Sequence, residues 1–441
     1  MQYQKLIKQQ FFTGFLIAVA LSFSIIFQTA GAYAGQAQHA IVTAVSGDGL
    51  KASYSWIQER KSGGSRLSQH NMMPTVGDIR AATHGQFYFI MQGGGLNRIT
   101  CFDITNLDAP LWQYAAQSAE ETGDARPWAL LSIDDHKAYL LRYGSSTAWI
   151  VDPLATDEKD FKTGEIDLSA YDDGDGSPEM CCGAVANGKA FIALKRLDAD
   201  GMPQTAYLAV IDSATNAPIT TGIGDDGMPG IPLSIKNPAS MQYLEKSDTI
   251  YVQGAGALEP QPDYTGGIER IDPNTYETQL ILDDGDANTH PYGYISGMAV
   301  ISSTDGFFIG AQTESDNTLY HFNPETGDAE AVELNASDPE YLQNKQFAGL
   351  NGGIGLDKHK RLWLSNISNR AVEILITAPN QGLYSGDGRV QIPDDNAGRA
   401  MQPAQIVFCK EPEVTEEDEA AKPSSSGESG NFCFINTLLM L

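Results

Sequence analysis

The chain has 441 residues, with 28 Lys and Arg against 56 Asp and Glu, a formal net charge of −28 at pH 7. That balance excludes a nucleic-acid backbone or an anionic membrane surface as partner, because binding either needs clustered cations. Apolar residues at 42% and charged residues at 19% describe a globular chain, and 44 Gly with 21 Pro favour many short strands over helices.

Residues 1–34 read as an export signal. Lys5 and Lys8 precede an uncharged apolar run from Phe11 to Phe27, and Ala32-Tyr33-Ala34 offers a cleavage site. An uncleaved anchor is the alternative. The segment contains no Cys, which excludes lipoprotein processing there. The expectation is an exported chain whose mature form has no transmembrane span. AIVTAVS (40–46) and LKASYSWIQ (50–58) then form a hairpin pattern across Gly47-Asp48-Gly49.

A repeat fills the middle of the chain. Short apolar strands centre on Tyr88, Tyr139, Phe191, Tyr251, Phe308 and Trp363, with spacings of 51, 52, 60, 57 and 55 residues. Each of the first five is followed by an alternating strand that ends in an acidic or amide turn, at Asp103, Asp152, Asp212, Asp272 and Asn323. The sixth copy, VEILITAPN, lacks the Asp. Lead strands begin near residues 78, 127, 178, 238, 296 and 351, and an outer strand follows each turn, as in KTGEIDLSA. Four short antiparallel strands per unit are the mark of a β-propeller blade. The hairpin at 40–70 and the lead-strand pattern PAQIVF (403–408) are left over. A propeller hides its terminal edges, so the prediction is an all-β fold of seven four-stranded blades over 35–409, the last built from both chain ends. Six blades is the alternative.

The segment RPWALLSIDDHKAYLLRYGSSTAWIVDPLAT resembles the repeat of the YVTN/YncE-like family of bacterial β-propellers. The resemblance covers about residues 76–392, with long insertions at 196–205 and 254–266. It implies a propeller at the bacterial envelope, periplasmic or on the cell surface. Relatives of that kind include surface propellers that capture cobamides or siderophores for outer-membrane transporters.

From Lys410 the composition changes. Residues 410–431 form an acidic Ser/Pro/Gly linker, and FCFINTLLML (432–441) is a short apolar tail around Cys433. The tail is similar to C-terminal sorting tails of bacterial surface proteins, which makes Cys433 a candidate anchor; an incidental frayed end is the other reading.

Several constellations are candidate sites. None of the five Cys forms a C-x-x-C pair, which excludes a zinc ribbon or c-type haem attachment. The adjacent thiols Cys181 and Cys182 are expected to be oxidised in an exported protein, as a vicinal disulfide or to partners such as Cys101 or Cys409. A soft-metal role and free buried thiols are the alternatives. Asp173, Asp175 and Glu179 supply oxygens at alternating positions, as a calcium loop does, although Ala184 stands where an EF-hand has its last Glu. Calcium is therefore a candidate cofactor, with solvated turns as the plain reading. Loops that enter the innermost strands, or join second to third strands, should meet at one mouth of the channel. They place Arg126, Trp128, Glu179, Asn237, Tyr292, Tyr294, Asn351, Arg98, Arg142, Tyr143 and Tyr264 on a predicted rim, and His290, beside Tyr292 and Tyr294, is the best candidate for a functional His. Aromatic rings with amides and a few Arg suit a polar organic ligand. The leading expectation is thus a non-catalytic binding protein for a small molecule or for an outer-membrane or surface protein. A lactonase-like hydrolase or lyase with bound calcium, and a structural or adhesive surface protein, are the alternatives.

Overall fold

A computed structural model describes residues 38–59, 66–224, 227–332, 345–378 and 383–410. The leader at 1–34, the acidic linker and Cys433 lie outside them.

Seven four-stranded antiparallel sheets make up a β-propeller. The innermost strands of the first six blades are Ile79–His84, Pro127–Asp134, Met180–Ala186, Pro238–Leu244, Tyr294–Ser302 and Ile354–Leu356. The seventh blade joins both ends of the chain. Met401–Lys410 is its inner strand and pairs antiparallel with Gln38–Ser46, which continues outward to Lys51–Gln58 and Ser68–Val76. The expected closure is therefore the observed one, with an outer strand that runs to Val76, past the expected limit at residue 70. Asn71 and Met73 adopt left-handed backbone inside that strand and break its alternation, which hid it in the sequence.

Each unit forms for a legible reason. The strand-centre aromatics Tyr88, Tyr139, Phe191, Tyr251, Phe308 and Trp363 are all buried, because second strands are covered on both faces by neighbouring blades. The turn residues act as predicted. Carboxylate or amide oxygens of Asp103, Asp152, Asp212, Asp272 and Asn323 accept the N–H two residues on, at 2.7–3.0 Å. Between blades, side chains satisfy backbone groups at the inner edges. Gln405 Oε1 accepts from Ala81 N at 2.7 Å, and Gln242 both donates to Val300 O and accepts from Val300 N.

Two repeated backbone features shape the channel. Asp78, Arg126, Glu179, Asn237 and Gly293, each immediately before the inner strand of blades one to five, have φ between 50° and 65°. In the first four, the left-handed residue's carbonyl accepts an N–H from the end of the second strand, such as Tyr143 N to Arg126 O at 2.9 Å. Then, in blades two to five, the inner strand carries a one-residue bulge, at Trp128, Cys181, Ala239 and Ser296. A bulge sets two residues against one partner and re-aims a side chain.

Candidate functional site

All seven innermost strands line a central cavity of about 490 Å³. Arg80 reaches into it from blade one. Its guanidinium lies 3.8 Å from the Trp128 ring centroid, and both terminal nitrogens donate to Asn351 Oδ1 at 3.3 Å. Its Nε is buried without a hydrogen-bond partner. Burial pushes Arg80 down to about 10, partly opposed by the negative charge of Asp78.

The mouth above continues this pattern. Arg126 donates from Nε to Asp78 at 2.7 Å and sits 5.3 Å from the Trp128 ring and 5.2 Å from Tyr143. Trp128 and Tyr143 are themselves 4.8 Å apart, tilted by 37°. Lys195 Nζ lies 6.0 Å from the Tyr143 ring and makes no hydrogen bond among the described residues. Burial lowers the Lys195 ammonium, against the pull of Cys181 and Cys182. Glu179 is 4% exposed and accepts from Leu197 N at 2.7 Å. Burial raises its carboxyl to about 7, helped by the charges of Asp175 and Asp173. Arg80, Arg126 and Lys195 therefore stand near Asp78 and a Glu179 carboxyl whose affinity for its proton is raised. Three cations thus gather at the mouth of a chain whose total charge is −28. Holding Arg126 and Glu179 in left-handed backbone, unusual for such side chains, is strain of the kind that collects at functional sites.

The thiols of Cys181 and Cys182 line the same cavity. Their sulfurs stand 3.6 Å apart, at hydrogen-bonding contact, which is the free-thiol arrangement among the readings given above. The bulge explains the contact, since Cys181 is the extra residue between the pairs Met180–Leu194 and Cys182–Ala193. Burial favours neutral Cys181, but the hydrogen bond from Cys182 and the charge of Lys195 outweigh it, and its thiol is lowered. Cys182, as donor in that bond and itself buried, is raised. Cys101 and Cys409 are buried in other blades, and burial pushes both up to about 12.

Not every predicted rim residue reaches the mouth. Arg142 is fully buried inside blade two, with Nη1 2.6 Å from Glu121 and its guanidinium 4.5 Å from the Trp149 ring, so it braces the blade. Arg98 is exposed, bonds Gln113 at 3.4 Å, and lines a separate cavity of about 700 Å³ between blades seven and one. Tyr292 packs edge-on against Phe308 and Tyr320 in blade five. Tyr294 borders another cavity with Glu314. Asn237 donates to Gly256 O at 2.9 Å and fixes its loop. Tyr264 stacks on His290 at 4.2 Å, away from the channel lining. Arg126, Trp128, Glu179 and Asn351 do converge there. Arg80 and Lys195 were missed. Arg80 was legible in principle, because its charge interrupts the apolar lead strand between Ile79 and Ala81. Lys195 follows the end of the strand Lys189–Leu194 and carries no such signal.

The calcium loop is not assembled. Asp173 pairs with Arg196, Asp175 accepts from Ser177 N at 2.9 Å, and Glu179 turns to Leu197. Among the described residues no group of three or more His, Cys, Asp or Glu is placed to hold a metal ion. No helix among them is long and apolar enough to cross a membrane.

No protein-family model matches the sequence, and no curated protein matches it. Solved structures do. A putative 6-phosphogluconolactonase from Bacteroides fragilis NCTC 9343 superimposes with a TM-score of 0.55 at 10% identity, covering 84% of this chain and 98% of that one. A second, from Bacteroides uniformis ATCC 8492, gives 0.54 at 11% identity, covering 84% and 99%. A virginiamycin B lyase from Staphylococcus aureus gives 0.46 at 11% identity, covering 75% and 92%. At these identities the likeness is one of fold, and the chain is a seven-bladed β-propeller.

Proposed function

We propose that the protein is an exported, non-catalytic binding protein of the bacterial envelope that takes a small organic anion with a flat conjugated part into the channel mouth. The observation that carries this reading is Arg80 laid on Trp128 at 3.8 Å, with Arg126 and Lys195 beside it. A face of Trp or Tyr stacks a planar group, and Arg80 and Lys195, which have no carboxylate partner among the described residues, can pair with carboxylate or phosphate. A cobamide or a siderophore, the cargo of the propellers this sequence resembles, has both features.

Native mass spectrometry of protein purified from its own host tests it. The expected result is a co-purified small anion that Arg80→Met and Trp128→Leu each fail to retain. Ligand retained equally by both folded variants overturns the assignment. A second reading, a hydrolase or lyase, is favoured by one observation. Glu179, with its carboxyl near 7 beside the mouth, is matched to general acid–base work at neutral pH. Turnover of the retained ligand that is lost in Glu179→Gln would select that reading.

A further inference from the structure

The channel holds a second chemistry that the anion site does not use. Cys181 and Cys182 come from blade three, Met241 from blade four and Met298 from blade five, and all four line the one cavity. Its lining contains no carboxylate and no imidazole among the described residues. Soft thiolate and thioether donors without hard oxygen ligands select soft cations. The two thiols are already in contact at 3.6 Å, held by the bulge rather than by a flexible loop. Cys181 Sγ also faces the carbonyls of Ala193 at 3.4 Å and Pro238 at 3.2 Å, which fix its orientation.

We propose that this thiol pair is a binding site for monovalent copper, with the thioethers of Met241 and Met298 as supporting donors. Two S–H bonds break, two protons leave to solvent, and two copper–sulfur bonds form; no electron is transferred. A +1 ion with two thiolates is a net −1 complex, and cations beside it compensate that charge. Arg80 lines the same cavity, and the charge of Lys195 acts on both sulfurs. The cations that would repel a free metal ion thus favour the bis-thiolate product. Zinc, which takes four ligands in closed sites, is poorly matched to two thiolates.

The test is anaerobic competition for copper(I), supplied as its acetonitrile complex, between the protein and the chromogenic chelator bicinchoninate. A Cys433→Ser background removes the thiol of the tail. The expected result is withdrawal of one equivalent from the chelator. Cys181→Ser/Cys182→Ser should weaken binding at least about 100-fold, and Met241→Leu/Met298→Leu about 10-fold, the range seen when metal-site partners are removed. Cys101→Ser/Cys409→Ser should bind as the parent does. Silver(I), a redox-inert soft ion, should follow the same order in native mass spectra. A parent that withdraws no copper, or a folded double-Ser variant that competes as the parent does, overturns the proposal. Unchanged binding in the double-Leu variant overturns the part given to the thioethers. Trp128→Leu removes the organic-anion site without touching a sulfur, so copper binding that persists there separates the two readings.

Discussion

Ring closure can be tested at Glu59, which follows the third strand of blade seven and is 1% exposed. Its carboxylate accepts from Arg361 Nη2 at 2.9 Å and Gln38 N at 3.2 Å, lies 3.0 Å from His359 Nε2, and has Lys358 Nζ at 3.8 Å. The Lys358–Arg361 turn belongs to blade six, so the contact ties the N-terminal strands to the last blade before the closing strand. Breaking a buried ion pair by removing one partner costs about 3–5 kcal/mol. The unpaired Gln38 N–H adds about 1–3 kcal/mol if it stays dry. Against this, Arg361 keeps Asp357 at 2.6 Å and Asp387 at 3.3 Å, so its charge is not stranded. Glu59→Ala should therefore cost about 3 kcal/mol, near the lower end of that first range. Glu59→Gln, which keeps an acceptor, should cost about half as much. Urea unfolding at pH 7, followed by tryptophan fluorescence, reads both values against the exposed control Glu120→Ala. A Glu59→Ala variant within about 0.5 kcal/mol of that control would refute the latch, since surface changes fall in that range.

Other outcomes follow from the same geometry. Glu179 and Asp284 are both buried, and burial raises each carboxyl to about 7, from ordinary values of 4.5 and 3.8. The folded state holds these protons more tightly, so their stabilisation is complete below pH 4 and is lost as pH rises to 7. The slope is at most about 1.4 kcal/mol per pH unit for each group. Unfolding titrations of wild type against Glu179→Gln/Asp284→Asn should show a difference confined to that window. Arg142→Met takes the ionic partner from Glu121, which keeps Ser118 and some solvent, and should lower stability by about 1–3 kcal/mol, with ligand retention unchanged in the protein that stays folded. Phe191→Ala, at a fully buried strand centre, should cost about 3–5 kcal/mol in the same urea assay.

The blade architecture was open to reading because every repeat carries local chemistry. An aromatic marks the covered second strand of the first six blades, an Asp or Asn marks the turn in the first five, and the unpaired hairpin at 40–58 demands a partner from the other end of the chain. The site was only partly open. Arg126 and Glu179 were found because their loops lead into inner strands. Arg142 was misplaced because its partner Glu121 lies 21 residues earlier in an outer loop, a contact that no local pattern announces. The cysteine pair was noticed, but adjacency alone argued for a covalent bond; only the register shift at Cys181 shows how the strand presents two thiols side by side.

That register shift recurs at Trp128, Cys181, Ala239 and Ser296, one to a blade. Because the extra residue takes no part in the ladder, its side chain can change without moving the strand that carries it. Blades two to four thus present an aromatic ring, a thiol and a methyl from comparable sockets around the central cavity, while the Ser296 hydroxyl of blade five turns to Ile309 O. Ligand preference in such a ring can be rewritten one socket at a time, while the pairing that holds the blades together is left as it was.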